Sequence, residues 1–490
     1  MARFFEENIN RSLKPREKCG IIAISGVQRR GTVAQYLADG LTSLQHRGQE
    51  SCGMSVHISD HIATYRDTGL VSDVFRPAIL QRLQGDSGIG HVRYSTTGTS
   101  TVREAQPFMM PYINPEFTIA FNGTITNYLT IRDLMRENNI EFETETDTEV
   151  IARLILDAVK NGKSYIEAIE EAMRLLQGAY SVVLLNRWGD IYAFRDAYGY
   201  KPLALGETEY GYVLSSETVS FDFLGAKWIR DILPGEVVRI KEKTIQSKRV
   251  IDKGETRHCF FEWVYFARPD SYVYGRSVYD VRYKLGEILA RDGPLPDDKE
   301  NTIVVPVPET GIVPAIGFSK QSGIPFQYGI IMNRYKRRTF ILPNQQARGN
   351  EVRMKLNPIS TVLKGKEVIM VDDSIVRGTT VKRIINALRN AGAKKVHVRV
   401  TAPPIVSGCY FGIDFPTRGE LVASYTSIED ITKDIGADSL YYNSIDAIRE
   451  AIGCEGRCLC LSCVTGEYPE LDNVDFDLLE TKLGSMKVKK

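Results

Sequence analysis

Short, continuous apolar runs punctuate the first half of the chain: CGIIAIS, GDSGIGHVRY, FTIAFNG, YSVVLL and GYVLSS, each bounded by glycine-containing turns. Runs of this length with turn residues at their ends predict strands, and unbroken apolarity predicts burial on both faces. Two stretches between them have a different rhythm. TVAQYLADGLTSLQ and DTEVIARLILDAVKNG space their apolar residues as a helix requires, the second with Asp147 as its N-cap and Gly162 beyond its C-terminus. Strands accompanied by paired helices predict a layered α+β domain. After residue 270 the pattern changes: VYDVRYKLGEILARDG reads as a helix, TIVVPVP as a buried strand, GIVPAIGFSKQSG as a helix and KGKEVIMVDD as a strand. TVKRIINALRNAGAKKVHVRVTAPP is then a helix running into a strand. Such alternation predicts a parallel α/β sheet, with the boundary between the two grammars at 250–265.

Composition narrows the classes. A chain of 490 residues has room for two or three domains, and 43% apolar with 25% charged residues is ordinary for a globular protein. A net charge of +1 gives no electrostatic reason to expect nucleic acid or a membrane surface as partner. No apolar run reaches membrane-spanning length. The leader MARFFEENINRSLKPREK lacks the apolar segment of a secretory signal, and its glutamates do not suit a transit peptide, so a cytoplasmic location is expected. Eight cysteines occur, at 19, 52, 259, 409, 454, 458, 460 and 463, and half of them fall in CEGRCLCLSC. In a chain of this length without a secretory signal, metal, cluster or catalytic roles are expected before a disulfide framework.

The most specific local signal is KEVIMVDDSIVRGTTVKRIINAL, residues 366–388. A buried strand ends at Asp372 and Asp373, and a loop of small, hydroxyl and glycine residues opens a helix. Backbone N–H groups converging at a helix start hold an anion, whereas two carboxylates repel one and suit a sugar diol and Mg2+. This describes a ribose 5-phosphate site, and the stretch resembles the phosphoribosylpyrophosphate (PRPP) loop of type I phosphoribosyltransferases. VPVPETG at 305–311 ends another strand in a turn able to hold pyrophosphate. The basic run 333–357 reads alone as a solvated loop; beside a triply charged substrate it reads as a closing lid that supplies cations and excludes water.

Cys19 stands directly before the first strand, after eighteen leader residues. A thiol that cleaves an amide needs a base and an oxyanion hole. An α-amine, with a reference pKa of roughly 7.7–8.0, serves as that base if the Lys18–Cys19 bond is cut, which would make the leader a propeptide. The alternative is a buried structural cysteine after a disordered start. HRGQES, GHVRYSTTG, FNGTITN and TDTEVI follow CGIIAI in order, and together they resemble the N-terminal-nucleophile (Ntn) glutaminase domain of glutamine amidotransferases. By that resemblance Cys19 attacks glutamine, Asn122 and Gly123 form the oxyanion hole, Arg93 pairs with the substrate carboxylate, Asp147 holds its ammonium, and Arg47 and Thr96 shape the pocket. Phe121 stands where the pattern usually has His, and Thr124 where Asn is common; a changed pocket wall is the expectation.

The two halves in this order resemble the glutamine PRPP amidotransferase family, and ARPDS, GIDFPTRGELVA and DSLYY extend the likeness from 19 to about 469. The resemblance implies a layered αββα Ntn glutaminase domain (19–255) after a leader (1–18), then an α/β type I phosphoribosyltransferase domain (256–465) and a tail (466–490). It implies release of ammonia from glutamine, its passage through an enclosed channel, and its attack on C1 of PRPP to give 5-phosphoribosylamine, the first committed intermediate of purine synthesis. Asp372, Asp373 and Thr310 would serve Mg2+ and the ribose; Ser374, Ile375, Val376, Arg377, Gly378, Thr379 and Thr380 would hold the 5-phosphate; Tyr335 and Lys355 would lie on the lid. One branch of the family holds a [4Fe–4S] cluster, and the matching positions are Cys259, Cys409, Cys460 and Cys463. Spacing does not choose between that cluster and Zn2+; the resemblance favours iron–sulfur, in a structural role. Cys454 and Cys458 read as accessory thiols, and Cys52 as a buried small residue. Purine nucleotide inhibition and a homodimer or homotetramer are also implied. Two other classes compete: a hexosephosphate aminotransferase, which shares the glutaminase half but carries sugar-isomerase repeats, and a non-catalytic PRPP-sensing regulator, which would need a DNA-binding module.

Overall fold

The structure is a computed structural model that describes residues 19–26, 33–94, 101–110, 116–333, 356–413, 415 and 418–469. The described residues of the amino-terminal half hold thirteen strands: β1 (Gly20–Ile24), β2 (Ser51–Ile58), β3 (His61–Thr68), β4 (Ser87–Arg93), β5 (Phe108–Met109), β6 (Phe117–Ile125), β7 (Gly178–Asn186), β8 (Ile191–Arg195), β9 (Ala204–Glu207), β10 (Tyr212–Ser215), β11 (Lys227–Asp231), β12 (Glu236–Lys241) and β13 (Thr244–Arg249). Among the described residues they make a seven-stranded sheet, β11-β9-β10-β1-β4-β2-β3, and a six-stranded sheet, β13-β12-β8-β7-β6-β5. The pairs are antiparallel, as in Gly20 opposite Val92 and Asn122 opposite Ser181.

The apolar run of β1 has two destinations. Ile21 and Ala23 join a buried cluster with Ala120, Val183 and Val238 of the other sheet, whereas Ile22 and Ile24 join Val33, Leu37 and Leu41 of α1 (Val33–Ser43). Period-two alternation therefore feeds both faces of the strand, which is why no polar position interrupts it. The outer face of the second sheet, through Phe117, Ile119 and Val182, packs with Val150, Ile155, Ile169 and Met173 of α2 (Asp147–Lys160) and α3 (Tyr165–Leu175). The result is helix, sheet, sheet, helix.

Two expectations shift. The N-cap of α2 is Thr146, and Asp147 is its first helical residue. Thr146 Oγ1 is held by Thr144 Oγ1 at 2.8 Å, and the Asp147 carboxylate accepts the Ile125 N–H of β6 at 3.2 Å. Phe121 is no pocket wall: its ring is buried in the cluster beneath α2 and α3.

In the carboxy-terminal half, β14 (His258–Cys259) leads into a π-helical turn, Glu262–Phe266, and then α4 (Val278–Asp292). A parallel sheet follows in the order β15 (Thr302–Pro306), β16 (Glu367–Asp372), β17 (Lys395–Val400), β18 (Ser439–Tyr442). Both faces are covered, as parallel sheets require. Val304, Ile369 and Val371 pack with Leu289 of α4 and Phe318 of α5 (Ile312–Ser322). Val305, Val368 and Met370 pack with Ile384 and Leu388 of α6 (Thr379–Asn390) and Ile431 of α7 (Ile428–Ile435). Last, β19 (Leu459–Cys460) pairs in parallel with β14.

Helices α4 and α5 approach so closely that a Cβ on Gly286 would lie 1.9 Å from the Pro314 carbonyl oxygen. Gly286→Ala is expected to destabilise the chain by about 1–3 kcal/mol, the cost of forcing atoms into a filled interface. Urea unfolding of the two proteins measures it.

Candidate functional site

Cys19 is buried at the entry to β1, with φ at 64°. Three links connect the strands and the helix that carry the expected glutaminase residues. The pairing of β1 with β4 sets Arg93 at the end of the neighbouring strand. His91 Nε2 meets the Phe121 carbonyl oxygen at 3.2 Å, tying β4 to the strand that carries Asn122 and Gly123. The Asp147 carboxylate accepts from Ile125 on that same strand. His91 is pushed down to about 3 by burial and then by Arg93, so it is a neutral ring at neutral pH. Arg93 itself meets Glu104 at 3.3 Å.

The Asn122 side chain is fully buried, and neither polar atom of its amide has a hydrogen-bond partner among the described residues. An unpaired buried amide is costly, and such groups concentrate where a ligand completes them. Gly123 has φ of 151°, and a Cβ there would lie 2.0 Å from the Ala179 carbonyl oxygen. The neighbouring strand thus demands glycine beside the asparagine.

Arg47, expected to shape the pocket, lies directly behind Cys19. Its guanidinium is fully buried, bonded to Glu217 and to Glu262 at 3.0 Å, and its Nε donates to the Cys19 carbonyl at 3.3 Å. It stands behind Cys19 and joins the two halves of the chain. Burial would lift the Glu217 carboxyl; His46 and Arg47 outweigh it and hold the group well below the usual carboxylate range. Glu217 and Glu262 were not singled out from the sequence, because each is one acid in a stretch without local pattern. Thr96 lies outside the described residues.

In the carboxy-terminal half, Asp372 closes β16 and both it and Asp373 are fully buried. Asp373 accepts from Thr310 Oγ1 and from Ser374 Oγ at 2.7 Å, and its own N–H donates to Asp372 Oδ1 at 2.9 Å. The turn after β15 is thereby fastened to the acidic pair. Gly378, at φ 75°, caps α6 in the left-handed region. Ile375 and Val376 turn their side chains into the core, leaving backbone to face any ligand, and Arg377 pairs with Glu420 at 2.7 Å. Ile330–Met332 pairs antiparallel with Leu356–Pro358, so the ends of the basic run lie side by side. Tyr335 and Lys355 fall outside the described residues.

The four cysteines of the expected centre come from three separate segments, and Cys259 and Cys463 share one buried cluster against which Cys409 packs. Cys259 lies opposite Cys460 in the β14–β19 pair, the Cys463 carbonyl accepts from Val406 and Ser407, and Cys409 Sγ accepts from Ile413 N–H at 3.4 Å. Burial, then Cys409, pushes Cys460 up to about 11; burial also raises Cys259 and Cys463. Each of those three thiols is disfavoured as thiolate by neighbouring cysteines, as expected of sulfurs gathered in one place. Among the described residues no group of three or more His, Cys, Asp or Glu stands in ready metal-binding geometry. The donor set, four thiols in an apolar surround, nonetheless fits a soft-ligand metal or an iron–sulfur cluster, which supplies the positive charge that thiolates need. Cys454 and Cys458 are joined as a disulfide, Cα atoms 6.2 Å apart. Cys52 is buried in β2, pushed up to about 12 by burial and then Asp67. Among the described residues no helix is long and apolar enough to cross a membrane.

Comparison with known proteins supports both halves. A glutamine amidotransferase domain model matches residues 91–222 and a phosphoribosyl transferase domain model matches 284–405, where a hexosephosphate aminotransferase would carry isomerase repeats. The amidophosphoribosyltransferase of Methanothermobacter thermautotrophicus is 45% identical over 93% of this chain and 95% of its own length. That of Synechococcus elongatus is 43% identical over 94% and 93%. The solved glutamine PRPP amidotransferase from B. subtilis, complexed with ADP and GMP, superposes with a TM-score of 0.85 at 37% identity, covering 92% of this chain and 97% of that one. A solved structure described as the allosteric regulatory enzyme of purine biosynthesis gives 0.87 at 37% identity, covering 95% and 99%. Similarity of this depth, running through both halves in the same order, makes this chain a member of the amidophosphoribosyltransferase family.

Proposed function

We propose that the chain takes ammonia from glutamine and transfers it to C1 of PRPP, giving 5-phosphoribosylamine, pyrophosphate and glutamate. The observation that carries the glutaminase half is the Asn122 amide, buried with no partner for its N–H beside the enforced Gly123. Cys19, once the Lys18–Cys19 bond is cut, gives its thiol proton to its own α-amine and attacks the glutamine amide carbon. Asn122 and the Gly123 N–H take up the charge that develops on the amide oxygen, the kind of preorganised donation that favours a transition state over a ground state. Arg93 and Asp147 orient the zwitterionic end of glutamine, with Thr96 on the pocket wall. Ammonia leaves as the thioester forms, and water then releases glutamate.

In the second half Asp372, Asp373 and Thr310 would hold Mg2+ and the ribose hydroxyls, and the backbone of 374–380 the 5-phosphate. Bound there, Mg2+ supplies charge neutralisation for the pyrophosphate. Tyr335 and Lys355 close over the substrate, and added cationic charge stabilises the departing group. Cys259, Cys409, Cys460 and Cys463 hold a structural [4Fe–4S] cluster. The domains divide at 255/256, the active form is a cytoplasmic homodimer or homotetramer, and purine nucleotides inhibit it, in keeping with the ADP and GMP bound to the B. subtilis protein.

Pyrophosphate release from PRPP, measured with glutamine and then with an ammonium salt, tests the division of labour. Cys19→Ala is expected to lose glutamine-dependent turnover by about a thousandfold or more while retaining ammonia-dependent turnover. Asn122→Ala is expected to lose about a hundredfold or more of kcat with glutamine alone. Loss of both activities in folded Cys19→Ala protein argues against separable sites. Mass spectrometry of active protein is expected to find Cys19 as the first residue; full activity with residues 1–18 attached rules out the α-amine as base. Anaerobically purified protein is expected to be brown and to contain iron and acid-labile sulfide. Zinc as the sole metal rejects the cluster.

A further inference from the structure

Lys201 is a buried cation that the proposed chemistry does not use. It is 1% exposed, and its Nζ has no hydrogen-bond partner among the described residues. An ammonium so placed is costly unless a negative charge answers it. The side chain lies against the loop that carries Cys409: a Cβ on Gly412 would be 2.9 Å from Lys201 Cε and 3.3 Å from Nζ. The same point is 3.6 Å from the Gly123 carbonyl carbon, so the ammonium lies between the cysteine loop and the strand of the oxyanion hole.

The backbone around Lys201 is fixed on both sides. Its carbonyl accepts from Ser181 Oγ at 3.0 Å, and Ser181 is the strand partner of Asn122. The preceding loop is gathered by the Asp196 carboxylate, which accepts the N–H groups of Tyr180, Tyr198 and Tyr200. The Tyr200 carbonyl accepts from Cys259 N–H, and the Tyr200 ring stacks on Phe411 at 4.4 Å. Such anchoring leaves the ammonium little freedom to reach water.

Four thiolates around either a zinc ion or an oxidised four-iron cluster carry a net double negative charge. Resting on the four-cysteine reading above, we propose that Lys201 is a positioning residue that compensates this charge and seats the loaded centre against the glutaminase domain. The buried lysine and the buried thiolates each supply what the other lacks.

The test compares wild-type protein, Lys201→Met and Lys201→Arg for metal bound per chain and for the rate at which a colorimetric iron or zinc chelator removes it. Lys201→Met, similar in length and uncharged, is expected to release metal about tenfold or more faster, the effect of removing one partner of a buried charge pair. Lys201→Arg is expected to stay close to wild type. Where the metal is iron, the cluster's reduction potential is expected to move negative in Lys201→Met, since a lost cation disfavours the added electron. A second comparison separates charge from packing. In a Cys463→Ala background, where the centre is lost, Lys201→Met is expected to raise the melting temperature, whereas in the wild-type background it lowers it. Equal release rates in wild type and Lys201→Met, or the same thermal cost in both backgrounds, overturn the proposal. If Lys201→Met does not accumulate folded, Lys201→Gln is read by the same criteria. Wild-type protein that binds neither iron nor zinc after anaerobic reconstitution overturns the four-cysteine reading itself and this role with it.

Discussion

A single buried cation holds the architecture together. Arg47 has no access to solvent, and two carboxylates, Glu217 and Glu262, surround it. Taking three charged groups out of water is tolerable only when every one is met, so each of these residues constrains the other two. Glu217 also accepts from the Arg268 N–H and Ser271 Oγ, and Arg47 reaches the Cys19 carbonyl. The start of the first strand, the segment after β10 and the start of the carboxy-terminal half are therefore pinned to one point. A hydrophobic contact would tolerate sliding; a bidentate ion pair in the interior does not.

From that point the constraint runs towards the second site. The π-helical turn carrying Glu262 is gripped by Arg282, whose Nε and Nη2 donate to the carbonyls of Trp263 and Ala267, each at 2.7 Å. Burial pulls Arg282 down to about 10, against the attraction of Asp373 and Glu217. One guanidinium on α4 thus feels an acid from each half. Arg282 in this way ties the start of α4 to the turn that carries Glu262. π-helical turns interrupt regular helices most often at such functional junctions.

Much of this was legible along the chain, for local reasons. β1 was readable because both its faces are buried and the run has no polar interruption. The loop at 372–380 was readable because backbone geometry there demands small residues and a left-handed Gly378, a requirement written into consecutive positions. The long-range pairs were not. Arg47 lies within a recognisable motif, yet its partners are 170 and 215 residues away, and nothing beside Glu217 or Glu262 distinguishes them from surface acids. The cap of α2 is Thr146, one residue before Asp147, whose carboxylate reaches β6, a partner that lies far away in the chain. Phe121 stands where the family pattern has His, which suggests a pocket wall, but adjacent strand residues face opposite ways, and its ring belongs to the helix-covered core. Lys201 gives no sign in the sequence, since a lysine is ordinarily a surface residue and only its burial makes it notable.

The short parallel pair of β14 and β19 has a consequence for the order of assembly. It joins the strand that opens the carboxy-terminal half to a strand that follows the whole parallel sheet in the chain, and Cys463 comes three residues later. No arrangement of the earlier segments can gather all four sulfurs. The four thiols therefore cannot be gathered on a nascent polypeptide until the sheet between them has left the ribosome, which places their assembly late in folding.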